Sequence, residues 1–441
     1  MSTRTAAMYL ALSACAAAQT PPALPLSLKR AVEIALSPDG SARVQLAQEA
    51  IAQAEARSRQ SRAALLPDLE GTVLEENQTR NLKALGIVFP SVPMFSIPTF
   101  AGPFSVFDAR ASVIETVFDF GAYRRYQASR ATVGAAKAEG ADARDQVAGQ
   151  VARAYLLAQR SDAALETAKA NVELSQALLR LAGQQKTAGT GTGIEVTRAE
   201  VQLANDRQRL LSAQTDQYRS HLELLRAMGL DMDADVVLTD KLSYQPAKTL
   251  TADEAMAVAV GSRSDWKAQL GRERSAKLNY SSLNMERLPS LAAFADYGSS
   301  GPAIDASVPT RTYGVSLKVP IFDGGRRDGR RAEGFSQYRQ EQIRTRDLKR
   351  EIGLEVRVAL ESLHSADSQV AVARDGLRLS EQELAQAERR YKAGVATSVE
   401  VTDAQTRLQR ARDNQIAALY GYNLARIDAA TAMGVIQSSL P

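Results

Sequence analysis

The chain is poor in the residues that most often signal chemistry. It holds one cysteine, Cys15, so no intrachain disulfide can form. Its two histidines, His221 and His364, stand far apart and without a cysteine at ligand spacing, so no metal cluster is expected. Aromatic residues make up only 5% of the 441 residues, which favours long helices over sandwiches. No apolar run reaches the ~18–20 residues of a membrane-spanning helix, so any entry into a bilayer would be by strands. With 54 basic and 50 acidic residues, the charge is too even to point to nucleic acid. Gly189, Gly191 and Gly193 lack the Gly-Lys-Ser/Thr ending of a phosphate loop and read as a helix-hairpin turn. No nucleophile–base pair or cofactor loop stands out, so neither an enzyme nor a cofactor is expected.

What is present begins with a leader. Arg4 precedes the apolar stretch Thr5 to Ala14, as in an exported protein. Ala16-Ala17-Ala18 before Gln19 suits ordinary signal cleavage. Leu12-Ser13-Ala14-Cys15 resembles a lipobox, and the sole cysteine falling there favours lipidation of Cys15, with residues 1–14 removed.

The rest of the chain is written twice. Lys186-Thr187-Ala188-Gly189 leads to Ile194-Glu195-Val196-Thr197, and 205 residues later Tyr391-Lys392-Ala393-Gly394 leads to Val399-Glu400-Val401-Thr402. Met228-Gly229 answers to Met433-Gly434, Phe118-Asp119 to Phe322-Asp323, and Leu66-Pro67 to Leu288-Pro289. The repeats are read as 26–229 and 250–434, joined by a linker over 230–249 and followed by a tail over 435–441. Each repeat predicts a short helix, a helix of roughly 25 residues stopped near Pro67 or Pro289, two strands, and two long helices joined by a Gly-rich turn.

The long helices carry heptads. Val370, Leu377, Leu384 and Tyr391 alternate with Ala373, Ser380 and Ala387. Their counterparts are Leu165, Val172 and Leu179 with Ala168, Ser175 and Ala182. Large residues alternating with small ones make a coiled-coil seam. A helix over 121–186 would be about 95–100 Å long. The strand pattern is clearest over 312–321, where Tyr313, Val315, Leu317, Val319 and Ile321 share one face. It is weaker over 107–117, 69–77 and 291–297, and the apolar stretch 82–104 reads as a loop. Four strands cannot close a channel-sized barrel, and an open sheet in lipid leaves its edges unsatisfied, so several chains would have to share one barrel. Arg124, Arg125, Arg326 and Arg327 follow the strands at helix starts, where the helix dipole disfavours them. One reading places them at lipid phosphates, the other on solvated helix surface.

In this order, the motifs resemble the TolC-like outer membrane efflux protein family. The resemblance rests on the duplication, on Phe322-Asp323-Gly324-Gly325-Arg326, and on Arg390-Tyr391-Lys392-Ala393-Gly394 leading to Val399-Glu400-Val401 and Ala404-Gln405. It implies a mainly α fold with a small transmembrane β part, in which a homotrimer shares a twelve-stranded barrel above a periplasmic tunnel. It further implies an outer-membrane location in contact with lipid, and docking of the tips at Gly189 and Gly394 to a periplasmic adaptor and inner-membrane pump. By the same resemblance, Glu400 and Asp403 take the two acidic positions of the tunnel entrance. Glu195 takes the acidic position of the first repeat, and Tyr391 that of the closing tyrosine. Ala396 stands where the family has a basic link residue, leaving Lys392 or Arg198 as substitutes. A periplasmic adaptor and a structural coiled-coil protein of the cell envelope are the rival readings; adaptors present one hairpin where this chain predicts two, and alternating strands followed by basic turns argue against the second.

Overall fold

The computed structural model describes residues 24–86, 99–247 and 250–439. The leader with Cys15, and Phe89, Met94 and Phe95, lie outside them. The first series of elements is β1 (Leu24–Leu26), α1 (Leu28–Ala35), α2 (Ala42–Ala63), β2 (Asp68–Asn81), β3 (Phe100–Phe118), α3 (Phe120–Thr187) and α4 (Gly193–Met228). After β4 (Val236–Leu238) come α5 (Ala252–Ser262), α6 (Ser264–Met285), β5 (Ser290–Gly301), β6 (Val308–Lys318), α7 (Arg326–Lys392), α8 (Ser398–Ala432) and the short α9 (Ile436–Ser439). α3 has 68 residues and α7 has 67, each about 100 Å long at 1.5 Å per residue. Among the described residues no helix is long and apolar enough to cross a membrane.

α2 and α6, of 22 residues each, end four residues before Pro67 and Pro289, because a residue preceding proline is driven out of helical geometry. Most heptad residues bury where a seam requires them, while Leu179, Ala373, Leu377 and Ser380 are half-buried. Val370, Leu384, Ala387 and Tyr391 of α7 are buried, as are Val401, Ala404, Leu408 and Ala418 of α8. In α3 the same spacing buries Leu165, Ala168, Val172, Ser175 and Ala182.

α3 is the spine, packing against α2 and α6 along one part of its length and against α4 and α8 along another. Two glycines join these levels. Gly229 closes α4 at φ +76°, and a Cβ there would lie 2.8 Å from the Gly40 carbonyl oxygen, just before α2. Gly434 follows α8 at φ +70°, and a Cβ there would lie 2.8 Å from Cα of Arg263, just before α6. The end of α4 therefore abuts the start of α2, and the end of α8 the start of α6.

At this level β1 pairs in parallel with β4, so the linker contributes a strand that sequence periodicity does not show. Tyr155 of α3 is fully buried, and its single hydroxyl proton is shared between Leu26 O at 2.8 Å and Asp240 Oδ2 at 2.9 Å. Asp240 Oδ2 also accepts from the Leu28 amide at 2.8 Å. Burial, reinforced by the Asp240 carboxylate, raises the Tyr155 hydroxyl well above its ordinary pKa, so it serves as a permanent donor.

The second sheet has the order β2-β3-β5-β6, and every neighbouring pair is antiparallel. Its strands differ in extent from the sequence expectation. β6 spans 308–318, so Val319 and Ile321 lie beyond it. The ladder ends at Lys318, opposite Ser290, the first residue of β5. β6 begins earlier than its alternation suggests, at Val308 opposite Ser300, with Pro309 opposite Ser299. β3 starts at Phe100, which takes 100–104 out of the expected loop and into the sheet.

Candidate functional site

The register sorts the sheet into two faces. Tyr313 stands opposite Ala295, Ala295 opposite Val113, and Val113 opposite Leu69. Leu317 stands opposite Leu291 on the same face, and Val73 opposite Ala109. The next row, one residue along, reads Thr312, Asp296, Ser112 and Glu70. Tyr313 is 78% exposed and Val315 73%, so the apolar face is uncovered by this chain. On the polar face Arg110 Nε donates to Asp108 Oδ1 at 2.7 Å, and Arg110 Nη1 lies 3.6 Å from Asp296 Oδ1. Among the described residues, β2 and β6 each keep one edge unpaired, and three antiparallel pairings leave these two edges running in opposite directions.

Where sheet becomes helix, Asp119 caps α3, its Oδ1 accepting from the Ala122 amide at 3.0 Å. Asp323 Oδ2 accepts from the Arg327 amide at 3.2 Å. These carboxylates also answer three of the four arginines singled out in the sequence. Arg125 lies 3.5 Å from Asp119 and 3.9 Å from Glu286. Arg326 and Arg327 lie 4.0 and 3.5 Å from Asp323, and Arg124 donates to Gln127 at 2.8 Å. Arg330 reaches Glu286 at 2.8 Å, tying α7 to the end of α6. Carboxylates beside Arg125, Arg326 and Arg327 offset the unfavourable dipole there. Phe118, Phe120, Tyr123, Ile321 and Phe322 are all exposed in the same zone.

At the far end of the long helices lie two turns. Gly189 at φ +76° ends α3 and Gly394 at φ +74° ends α7, a left-handed conformation that glycine adopts without strain. Glu195 folds back on its own helix start, where Oε2 accepts from the Thr192 amide at 2.8 Å. It shares a small cavity with Tyr391 and Ser398. Tyr391 Oη and Ser398 Oγ are buried without a hydrogen-bond partner among the described residues. Burial, and then the charge of Glu195, raise the Tyr391 hydroxyl above its ordinary value. The structure thus brings Tyr391 and Glu195 together.

Glu400 and Asp403 are exposed on α8. Glu400 Oε1 lies 3.1 Å from Arg390 Nε. The basic partner of this tip is therefore Arg390, ten residues back across the turn. Lys392 lies 4.0 Å from Glu388 instead. The hairpin itself was the signal for Arg390, since residues equidistant from a tight turn face one another.

A family model described as "Outer membrane efflux protein" matches residues 39–230 and 258–435. Among curated proteins, the pyoverdine export outer membrane protein OpmQ of Pseudomonas putida is 26% identical over 275 residues. That match covers 60% of this chain and 57% of the relative, so the chain spans little more than half of that protein's length. Among solved structures, the Campylobacter jejuni CmeC outer membrane channel superposes with a TM-score of 0.77 at 17% identity, covering 92% of this chain and 85% of that one. The outer membrane protein VceC of Vibrio cholerae gives 0.77 at 19% identity, covering 92% and 96%. The family model covers most of the sequence, and the fold is shared along nearly its whole length: the chain belongs to the outer membrane efflux protein family.

Proposed function

We propose that three copies of this chain form a passive duct through the outer membrane, receiving cargo from a periplasmic adaptor and an inner-membrane pump. The observation that carries this reading is the sheet, with one apolar face, one polar face and two unpaired edges of opposite direction. An open edge in hydrocarbon costs several kcal/mol per unsatisfied group. β6 of one copy meeting β2 of the next, antiparallel, removes every edge, and three four-stranded sheets close a twelve-stranded barrel. The apolar rows then face lipid and the Arg110–Asp296 rows face the lumen. The exposed rings from Phe118 to Tyr123 and at Phe322 sit at the membrane edge, where aromatic side chains concentrate. Arg124, Arg125, Arg326 and Arg327 stand at that edge as a self-paired girdle, with Arg326, at 71% side-chain exposure, the one most open to a phosphate.

Below the membrane, the helices make the tunnel and the tips its entrance. Glu400 and Asp403, three apart on α8, share a helix face, and three copies make acidic rings that attract cations. The turns at Gly189 and Gly394 are the docking points for the adaptor. Tyr391 and Glu195, which line one cavity between the hairpins, close the tips on one another, while the Arg390–Glu400 pair braces the turn of the second hairpin. Purified protein in planar bilayers tests the entrance. Glu400→Gln with Asp403→Asn is expected to lower the cation-to-anion permeability ratio severalfold without changing the yield of heat-modifiable trimer. An unchanged ratio would remove these two residues from the pathway.

A further inference from the structure

Along the contact between the two hairpins, one layer is bonded unlike the rest. Asp206 of α4 is 1% exposed. Ser175 Oγ of α3 donates to Asp206 Oδ2, Gln202 Nε2 donates to the same oxygen at 3.1 Å, and Arg209 Nη1 lies 3.5 Å from Oδ1. Two residues of α8 join from the other hairpin. Gln405 Nε2 donates to Ser175 Oγ at 2.6 Å, and Gln409 Oε1 accepts from Arg209. A little farther from the turns, Arg412 donates to Asn171 at 2.9 Å. Three helices from two hairpins thus meet around one buried carboxylate.

Below this layer the character of the contact changes. Asp206 stands 13 residues beyond Gly193, about 20 Å above the first turn. Among the described residues, no hydrogen bond or ion pair links the two hairpins between the layer and the turns. Leu178 and Leu181 of α3 pack there on the cluster of Leu384, Tyr391 and Val401, and the Tyr391 and Ser398 hydroxyls are buried without partners. Apolar contacts are non-directional and can slide. Parting the tips would also hydrate two unsatisfied hydroxyls, whereas parting the layer would break the bonds that Gln405 makes to Ser175 and Gln409 to Arg209, the side chains that hold the Asp206 carboxylate. The device belongs to one hairpin only, because the position 205 residues after Asp206 is Ala411.

We propose that the Asp206 layer is the fulcrum of the entrance: it positions α8, with Glu400 and Asp403, against the first hairpin and stays joined while the tips below it swing apart. Asp206 is on this account a positioning residue, and the proposal rests on the gate reading above.

Cysteine pairs test it, and Cys15 is the only native thiol. A Ser175→Cys/Gln405→Cys disulfide is expected to leave pump-driven efflux intact. Bridging Glu195→Cys to Tyr391→Cys with a short bis-thiol reagent is expected to stop it. A layer disulfide that stops efflux as fully as the tip bridge overturns the fulcrum. If neither bridge stops efflux, the gate reading fails, and the fulcrum with it. A second readout is basal conductance of trimers in bilayers. Asp206→Ala should raise it severalfold at unchanged trimer yield, with Asp206→Asn, which keeps the shape, in between. The reduced Ser175→Cys/Gln405→Cys pair should leak and its disulfide restore closure. Native conductance in both Asp206 variants overturns the proposal.

Discussion

Tyr313→Arg is expected to abolish the membrane-inserted trimer, whereas Thr312→Arg, one residue away, is expected to leave it intact. Tyr313 sits in the middle of β6 in the row with Ala295, Val113 and Leu69. A guanidinium there would face hydrocarbon. An arginine on the lipid face near the midplane costs about 2–4 kcal/mol, and a trimer bears that cost three times. Thr312 points the other way, into the row of Asp296, Ser112 and Glu70, where two carboxylates would receive a cation. Heat-modifiable trimer in outer-membrane fractions is the measurement. Equal loss for both variants would mean that the assignment of the two faces is wrong.

The second large effect lies at the level where the helix columns meet. Arg263 is only 13% exposed at its side chain and touches three elements. Its Nη2 lies 2.7 Å from Asp265 Oδ2 at the start of α6, and its Nη1 donates to Ala432 O at 3.1 Å at the end of α8. Glu355 of α7 completes the set. Arg263→Ala would leave Asp265 half-buried without its cation. Removing one partner of a buried pair costs about 3–5 kcal/mol, and the lower end applies because Glu355 is 43% exposed. The acid dependence has a definite sign. Burial alone would raise the Asp265 carboxyl, but the hydrogen bonds and charge of Arg263 bring it below its ordinary 3.8. Its contribution is therefore fully present above that value and is lost as the pH falls through the lower folded-state value. The melting midpoint of Arg263→Ala should fall several degrees below native at neutral pH, and the gap should narrow below pH ~3.8. A gap independent of pH would mean that the loss comes from packing alone.

Elements set by local pattern were legible in the sequence. The heptads on α3 and α7, and the prolines at 67 and 289, announce long helices and their shorter companions with correct order and nearly correct length. The sheet was legible in kind but not in extent, since β6 ends where its partner β5 begins, at Ser290, and β3 runs seven residues earlier than its alternation suggests. Long-range pairings left no local trace. Asp240 reads as one more loop acid until Tyr155 and Leu28 converge on it, and the three residues of β4 are too few to show a period. At the tips, periodicity places Glu400 and Tyr391 but is silent about Arg390, which becomes a partner only once the chain has turned back. Asp206 reads as a surface charge until α8, from the other repeat, covers it.

The two bare strand edges carry a genetic consequence. A ring closed by three identical seams fails if any one of them fails. A subunit whose β6 edge can no longer pair, but whose helices still dock, would enter mixed rings and leave a gap in each. With equal amounts of the two subunits, only about one ring in eight would be wholly native. Such an allele would be dominant over the intact copy, while one that merely unfolds the chain would be recessive.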